Sequence, residues 1–172
     1  MICDNVLDYI GHTPMVRLNR MNDPEAAEVL VKYEGLNVGG SIKTRTAYNM
    51  IKQAEKEGRI NKDTIIVEPT SGNQGIGLAL IGAVKGYQTK IIMPDSVSHE
   101  RRKLVQHYGA EVILVHDAGN IGACIEECVL RNAFRVGCVI EHETGTEVKV
   151  VLVCVLEERV VCKGIIESFI EV

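Results

Sequence analysis

Strand-like and helix-like segments alternate between residues 29 and 130, and this alternation limits the folds open to the chain. Short runs rich in branched apolar residues predict strands at 29–34, 64–69, 90–95 and 110–116. Longer segments with helical periodicity follow them, at 43–58, 73–86, 98–109 and 118–133. Alternating strands and helices form parallel sheets covered by helices on both faces. We therefore expect an α/β three-layer sandwich with a mostly parallel sheet.

Glycines mark where the predicted helices end. Gly58, Gly86 and Gly109 each follow the last turn of a helical pattern, the position at which a left-handed residue commonly closes a helix. Ser98 precedes the helix that begins near His99, and serine is a preferred N-cap. The boundaries of the helices are thus predicted independently of their apolar periodicity.

A glycine-rich turn, "EPTSGNQGIG" at residues 68–77, joins a predicted strand to a predicted helix. Unpaired N–H groups at the start of a helix, together with its dipole, favour a bound carboxylate or phosphate. The order G-x-x-G-x-G differs from the dinucleotide fingerprint G-x-G-x-x-G, and no G-K-S/T follows as in a Walker loop. The turn alone is equally compatible with an anion site and with tight packing of helix on sheet.

Lys43 lies at the predicted start of the first helix, in the segment "GGSIKTRTA" at residues 39–47. Cations are favoured at the other end of a helix, so an ammonium group here is destabilised and easier to deprotonate. Such a lysine can act as a nucleophile or form a covalent bond to a carbonyl compound. A lysine in an exposed loop without a chemical role is the alternative interpretation.

Composition excludes several classes of protein. The 172 residues carry a formal net charge of −4, which argues against a nucleic-acid partner. There is no run of 18 uncharged apolar residues and no signal-peptide pattern, so we expect no membrane partner and a cytoplasmic location. The six cysteines lack paired C-x-x-C spacing, and we therefore expect reduced thiols and no metal site.

Several segments match one family together and in order. The chain resembles the fold type II pyridoxal-phosphate enzymes, the tryptophan synthase β / cysteine synthase family, over residues 8 to 128. The resemblance is carried by "IGHTPMVRLNRM", "VKYEGLNVGGSIKTRTA", "IVEPTSGNQGIGLALIGAVKGY" and "KIIMPDSVSHERRKLVQHYGAEVILV". Several motifs in register are far more specific than the glycine-rich turn alone.

The resemblance implies a cofactor, pyridoxal 5'-phosphate, and a role for each matching residue. Lys43 corresponds to the lysine that binds the cofactor covalently and then serves as the base that removes the α-proton of the substrate. Asn73 corresponds to the residue that hydrogen-bonds the ring oxygen of the cofactor. The loop that binds the substrate carboxylate corresponds to Thr70, Ser71, Gly72, Asn73 and Gln74.

Departures from the family pattern suggest a particular activity within it. The family commonly has Lys-Asp-Arg where this chain has Lys43-Thr44-Arg45, and Asn-Pro where it has Asn37-Val38. These features resemble the β subunit of 2-amino-4-oxopentanoate thiolase, which joins an acetyl group from acetyl-CoA to alanine. The alternatives are a cysteine synthase-like β-replacement enzyme that uses O-acetylserine and sulfide, a catalytically incomplete remnant, and a module that depends on a partner chain.

The resemblance also implies a division of the chain. Residues 1–40 correspond to the N-terminal segment of a large domain, residues 41–132 to the small βα-repeat domain, and residues 133–172 to a divergent tail that leaves the cofactor domain incomplete. No Gly-x-Gly-Gly follows "HETGTEV" at 142–148, so the family's phosphate-binding loop is not recognisable and truncation is expected. An amino-acid substrate, a homodimer and a second subunit are the expected partners.

Overall fold

The computed structural model describes residues 2–20, 23, 25, 27–116, 121–131, 139–141 and 147–152, with side chains up to residue 128. Two single-turn 3-10 helices, Val6–Tyr9 and Glu34–Leu36, lie in the N-terminal part. The strands and helices follow in the order β1 (Met15–Arg17), β2 (Leu30–Lys32), α1 (Lys43–Lys56), β3 (Ile65–Pro69), α2 (Asn73–Lys85), β4 (Gln88–Pro94), α3 (His99–His107), β5 (Glu111–Val115), α4 (Ile121–Arg131), β6 (Val139–Glu141) and β7 (Glu147–Leu152).

The main sheet has the strand order β5-β4-β3-β7-β6. Strands β5, β4, β3 and β7 are parallel, and β6 pairs antiparallel with β7. The predicted α/β fold with a mostly parallel sheet is therefore confirmed. The predicted tail contributes β6 and β7 to this sheet, while residues 132–138, 142–146 and 153–172 lie outside the described part.

Alternate residues of the central strands face the two helical layers. Ile66 and Ile91 pack into a core shared with α1, α2 and α3, whereas Val67 and Ile92 pack against Cys124 and Cys128 of α4 and face the opposite side. This alternation follows from the period of two residues along a strand. It explains why both strand faces are apolar and why the sheet is covered on both sides.

The strand predicted at 29–34 forms, but it does not join the parallel sheet. Strand β2 pairs antiparallel with β1 in a separate two-stranded sheet, so the expectation of a parallel strand before α1 was wrong. All six residues of β1 and β2 are exposed to solvent. The apolar pattern at 29–34 indicated strand structure correctly, but periodicity carries no information about which strand becomes the neighbour. Strand β1 was not predicted.

Helices α1 and α2 approach each other very closely at Gly77. A Cβ atom built on Gly77 would lie 3.1 Å from the Cβ of Ala47 and 3.3 Å from the backbone oxygen of Lys43. A side chain at position 77 would therefore crowd α1. Ala47, Ile51 and Ala54 of α1 are buried in the same core as most of α2. The first turn of α1 is therefore held against α2 by backbone contact.

Candidate active site

The two helix N-termini predicted to carry the site begin at the same end of the molecule. Ala47 contacts Gly77 near the start of the two helices, and Glu55 contacts Lys85 near their end. The two residues of each contact are 30 positions apart in the sequence. Equal separations at both ends mean that α1 and α2 run parallel. The same offset sets Lys43, the first residue of α1, level with Asn73, the first residue of α2.

The loop between β3 and α2 is fastened to the sheet and open on one side. The Thr70 N–H donates to the Ile92 carbonyl at 2.9 Å, and the Gly72 N–H donates to Thr70 Oγ1 at 3.2 Å. Apart from its two chain neighbours, no described residue has an atom within 4 Å of a Cβ built on Gly72. A ligand can therefore approach the backbone of the loop at the N-terminus of α2, where the helix dipole favours an anion.

Three buried polar atoms next to these residues have no hydrogen-bond partner within the described part of the chain. They are Thr44 Oγ1, beside Lys43; Gln74 Oε1, beside Asn73; and Glu68 Oε2, at the end of β3. Buried polar atoms are normally satisfied, and exceptions concentrate at functional sites. Burial alone raises the pKa of Glu68 well above its ordinary value, because the charged form loses its hydration.

An ionic network fixes the chain just before Lys43. The Arg45 guanidinium donates two hydrogen bonds of 2.8 Å to the Glu34 carboxylate and one of 2.7 Å to the Gly11 carbonyl. Thr13 and Asn37 donate to the same carboxylate at 2.8 Å and 3.1 Å. The hydrogen bond from Arg45 is the main reason that the pKa of Glu34 is lowered to about 2. Arg45 thus anchors the N-terminal segment to the first turn of α1.

The structure places all the residues predicted for the site on two neighbouring segments. Lys43 opens α1, and residues 70–74 form the β3–α2 loop and the first turn of α2. The predicted starts of α1, α2 and α3 and the closing glycines Gly58, Gly86 and Gly109 agree with the structure. The ends predicted for the fourth helix, at 118 and 133, lie outside the described residues. Ser98 is the N-cap of α3 as predicted, although its side chain makes no capping hydrogen bond.

One contact to this loop was missed in the sequence. Arg101, in the first turn of α3, donates a hydrogen bond from Nη1 to the Ser71 carbonyl at 3.3 Å. Its segment "HERRKL" indicated only a solvated helix face. No local pattern identifies the partner of such a residue, because the contact joins positions 30 residues apart.

A parallel α/β sheet with helix N-termini at its carboxyl edge defines a class of proteins that bind small anionic ligands at that edge. The family model for pyridoxal-phosphate dependent enzymes matches residues 6–153. The chain belongs to this family, which uses pyridoxal 5'-phosphate, as the sequence resemblance implied.

Relatives within the family are named cysteine synthases. A cysteine synthase of Flavobacterium is 49% identical over 123 residues, which are 72% of this chain and 40% of that protein. A hydrogen sulfide-producing enzyme of Fusobacterium nucleatum has a crystal structure that is 44% identical with a TM-score of 0.73, covering 88% of this chain and 45% of that one. A cysteine synthase of Entamoeba histolytica is 34% identical with a TM-score of 0.74, covering 88% and 43%.

The chain spans less than half the length of these relatives. The relatives favour the cysteine synthase alternative, and they do not support the predicted assignment to the thiolase β subunit. In the part of the chain that the structure describes, no helix is long and apolar enough to cross a membrane. The same part contains no group of three or more His, Cys, Asp or Glu side chains that could hold a metal ion.

The described residues fit one end of the family's cofactor. An amine on Lys43 and an amide on Asn73 suit the aldehyde and the ring oxygen of the cofactor, and the open backbone of the loop suits the carboxylate of a substrate. Next to them, Gln74 Oε1 is buried and has no hydrogen-bond partner among the described residues, so it is available to bind a ligand.

Proposed function

We propose that this chain supplies the amino-acid-binding part of a pyridoxal-phosphate dependent enzyme of the cysteine synthase type. The reaction is a β-replacement, in which sulfide takes the place of the acetate group of O-acetylserine. The observation that carries the proposal is the arrangement of Lys43 level with Asn73 at two parallel helix N-termini beside an open glycine-rich loop. The names of the relatives support the substrate class.

Each residue of the site has a distinct task in this proposal. Lys43 would hold the cofactor covalently, and its free amine would take the α-proton of the substrate. Asn73 would donate a hydrogen bond to the ring oxygen of the cofactor. Thr70, Ser71, Gly72 and Gln74 bind the substrate carboxylate at the positive end of α2. The bound cofactor withdraws electrons from the substrate carbon that loses the proton.

The proposal extends to the organisation of the chain. Residues 1–40 are the N-terminal segment of a large domain, residues 41–132 are the small domain that binds the amino acid, and residues 133–172 are a divergent part of the cofactor domain. We propose a homodimer, a second subunit that completes the phosphate site, and a cytoplasmic location. Acidic net charge makes nucleic acid an unsuitable partner.

The covalent role of Lys43 is tested by mapping the cofactor adduct. The purified chain is mixed with pyridoxal phosphate and reduced with borohydride, and the labelled peptide is identified by mass spectrometry. We expect stoichiometric label on Lys43, loss of that label in Lys43→Ala, and no change in Lys52→Ala, which alters an exposed lysine of the same helix. Label scattered over surface lysines would instead support a catalytically incomplete remnant.

Two assays separate the cysteine synthase from the thiolase. Turnover of O-acetylserine with sulfide supports the β-replacement reaction, whereas turnover of alanine with acetyl-CoA supports the thiolase. Activity that appears only when a second chain is added would identify a partner-dependent module. Asn73→Ala is expected to shift the absorption of the bound cofactor, and an unchanged spectrum would argue against a contact between Asn73 and the ring.

A further inference from the structure

The peptide group between Ser71 and Gly72 is fastened at both ends. Its N–H donates to Thr70 Oγ1 at 3.2 Å, and its carbonyl accepts from Arg101 Nη1 at 3.3 Å. A peptide group is planar, so two bonds on opposite sides fix the orientation of the whole plane. The Ser71 carbonyl is therefore turned toward α3.

The orientation of the Ser71 carbonyl matters because α2 has two neighbouring helices, α1 and α3, and only α1 carries Lys43. Helix α2 packs against α1 and also against α3. Lys43 is on α1, whereas Arg101 is on α3, so the two contact α2 and its loop from different helices. The Ser71 oxygen is directed to the α3 helix and not to the helix that carries the amine.

The loop needs such a restraint because Gly72 offers little resistance to rotation. Gly72 has no side chain, and a Cβ at this position would have open space around it. A peptide group next to such a glycine can turn over at low steric cost. If it did, the Ser71 carbonyl oxygen would face a bound carboxylate, and the two partial negative charges would repel.

The turn that carries Arg101 is held in place by hydrogen bonds of the neighbouring residue. The next residue, Arg102, donates from Nε to the Val97 carbonyl at 2.9 Å and from Nη2 to the Asp95 carbonyl. The Val97 N–H donates to the Pro94 carbonyl at 3.1 Å, and Val97 is buried. The first turn of α3 is therefore anchored to the end of β4, which gives Arg101 a fixed base.

We propose that Arg101 is a positioning residue for the substrate-binding loop. By holding the Ser71 carbonyl toward α3, it keeps a competing oxygen away from the carboxylate side of the loop. This inference rests on the proposed function of residues 70–74 as the site of the substrate carboxylate. It adds a residue on a third helix to that site, one that acts through the backbone without touching substrate.

The first test measures the loop without any ligand. Amide hydrogen exchange is followed in the cofactor-free chain, in Arg101→Ala and in Lys103→Ala, which removes the same charge from an exposed position of the same helix. We expect exchange at Ser71–Gln74 to become about fivefold faster in Arg101→Ala, the loss of one hydrogen bond to a charged donor at the surface. Lys103→Ala should exchange like the wild type.

The second test measures what the loop does. In the cofactor-loaded chain, we expect Arg101→Ala to bind L-serine about fivefold more weakly and to raise KM for O-acetylserine by a similar factor, with kcat within twofold. Unchanged exchange in Arg101→Ala, or an equal loss of affinity in Lys103→Ala, would overturn the proposal. If the wild type fails to bind L-serine, the proposed function fails, and faster exchange in Arg101→Ala would still establish the restraint on the loop.

Discussion

At the scale of single residues, Glu68 is a carboxyl group that the fold keeps out of water. Glu68 is 2% exposed, and its Oε2 has no hydrogen-bond partner within the described residues. Burial raises the pKa of Glu68 above 4.5, so the folded state retains a proton that the unfolded chain loses. The free energy of unfolding therefore falls as pH rises above about 4.5, until the folded pKa is reached.

Glu68→Gln should remove this dependence. We expect Glu68→Gln and the wild type to have the same free energy of unfolding near pH 4. Between the unfolded and the folded pKa of Glu68, the free energy of unfolding of the variant should exceed that of the wild type by about 1.4 kcal/mol more for each pH unit. Urea unfolding at several pH values measures the difference, and Asp63→Asn, at an exposed position, serves as the control. A constant difference between Glu68→Gln and wild type would show that the carboxyl is ionised in the folded state.

Gly75, in the first turn of α2, is closely packed, whereas Gly72 has open space around it. A Cβ on Gly75 would lie 2.6 Å from Thr70 Cγ2 and 2.9 Å from Ile91 Cγ2. Gly75→Ala should therefore lower the free energy of unfolding by about 1–3 kcal/mol through overpacking. Gly72→Ala, where the space is open, should change it by less than about 0.5 kcal/mol. Equal stability of the two variants in urea unfolding would contradict this packing.

At the scale of elements, the Glu34–Arg45 pair joins the N-terminal segment to α1. Because the pKa of Glu34 is lowered to about 2, this contact stabilises the fold above pH 4.5 and is lost as pH falls from about 4.5 to about 2. Glu34→Gln should lower the thermal unfolding midpoint at pH 7, and the difference from wild type should shrink toward pH 2. A difference that stays the same at acid pH would show that the charge of Glu34 is not the cause.

The helices and strands from β3 to α4 could be predicted from sequence, because apolar period and glycine stops act within a few residues. Gly58, Gly86 and Gly109 have φ values of +67°, +80° and +83°, a conformation that their position after a helix already required. The partner of β2 could not be predicted in this way. Its residues are exposed on both faces, so no buried pattern specifies where the strand belongs.

The candidate site was predicted in part, for a similar reason. The glycine-rich turn and the lysine at a helix start are local signals, and the family resemblance linked them across 30 residues of chain. Arg101 and the Glu34–Arg45 pair gave no such signal, because charged side chains at a surface are common and their partners are set by the tertiary fold. The unpaired Glu68 was missed because its neighbours in sequence do not reveal its burial.

At the scale of the whole molecule, β1 and β2 carry apolar side chains that the described residues leave uncovered. Met15, Val16, Leu30 and Val31 have exposed fractions of 55%, 44%, 47% and 39%. Val16 and Val31 are paired on one face of this two-stranded sheet, and Met15 and Leu30 lie on the other. Exposed apolar side chains promote association with other apolar surfaces. The chain alone should therefore bind a hydrophobic dye and self-associate as its concentration rises.

The double variant Val16→Thr, Leu30→Thr tests these exposed side chains. Threonine is β-branched, a shape that strands favour, and the two positions are exposed, so the variant should bind less dye and scatter less light with an unchanged unfolding midpoint. Val67→Thr is the contrasting control, because Val67 is 1% exposed and its replacement should lower the midpoint clearly. Dye binding equal to that of the wild type would show that the dye binds elsewhere on the molecule.

The contact of Gly77 with the backbone of α1 separates the geometry of the site from its chemistry. The close approach of α2 to the first turn of α1 is made by Gly77 against backbone atoms of Lys43 and Thr44 and the Cβ of Ala47. Exchanging the amine or the amide for another functional group should therefore leave the two anchor points where they are. During evolution the same pair of helices can therefore carry different functional groups, because substitutions at positions 43 and 73 should leave the fold unchanged.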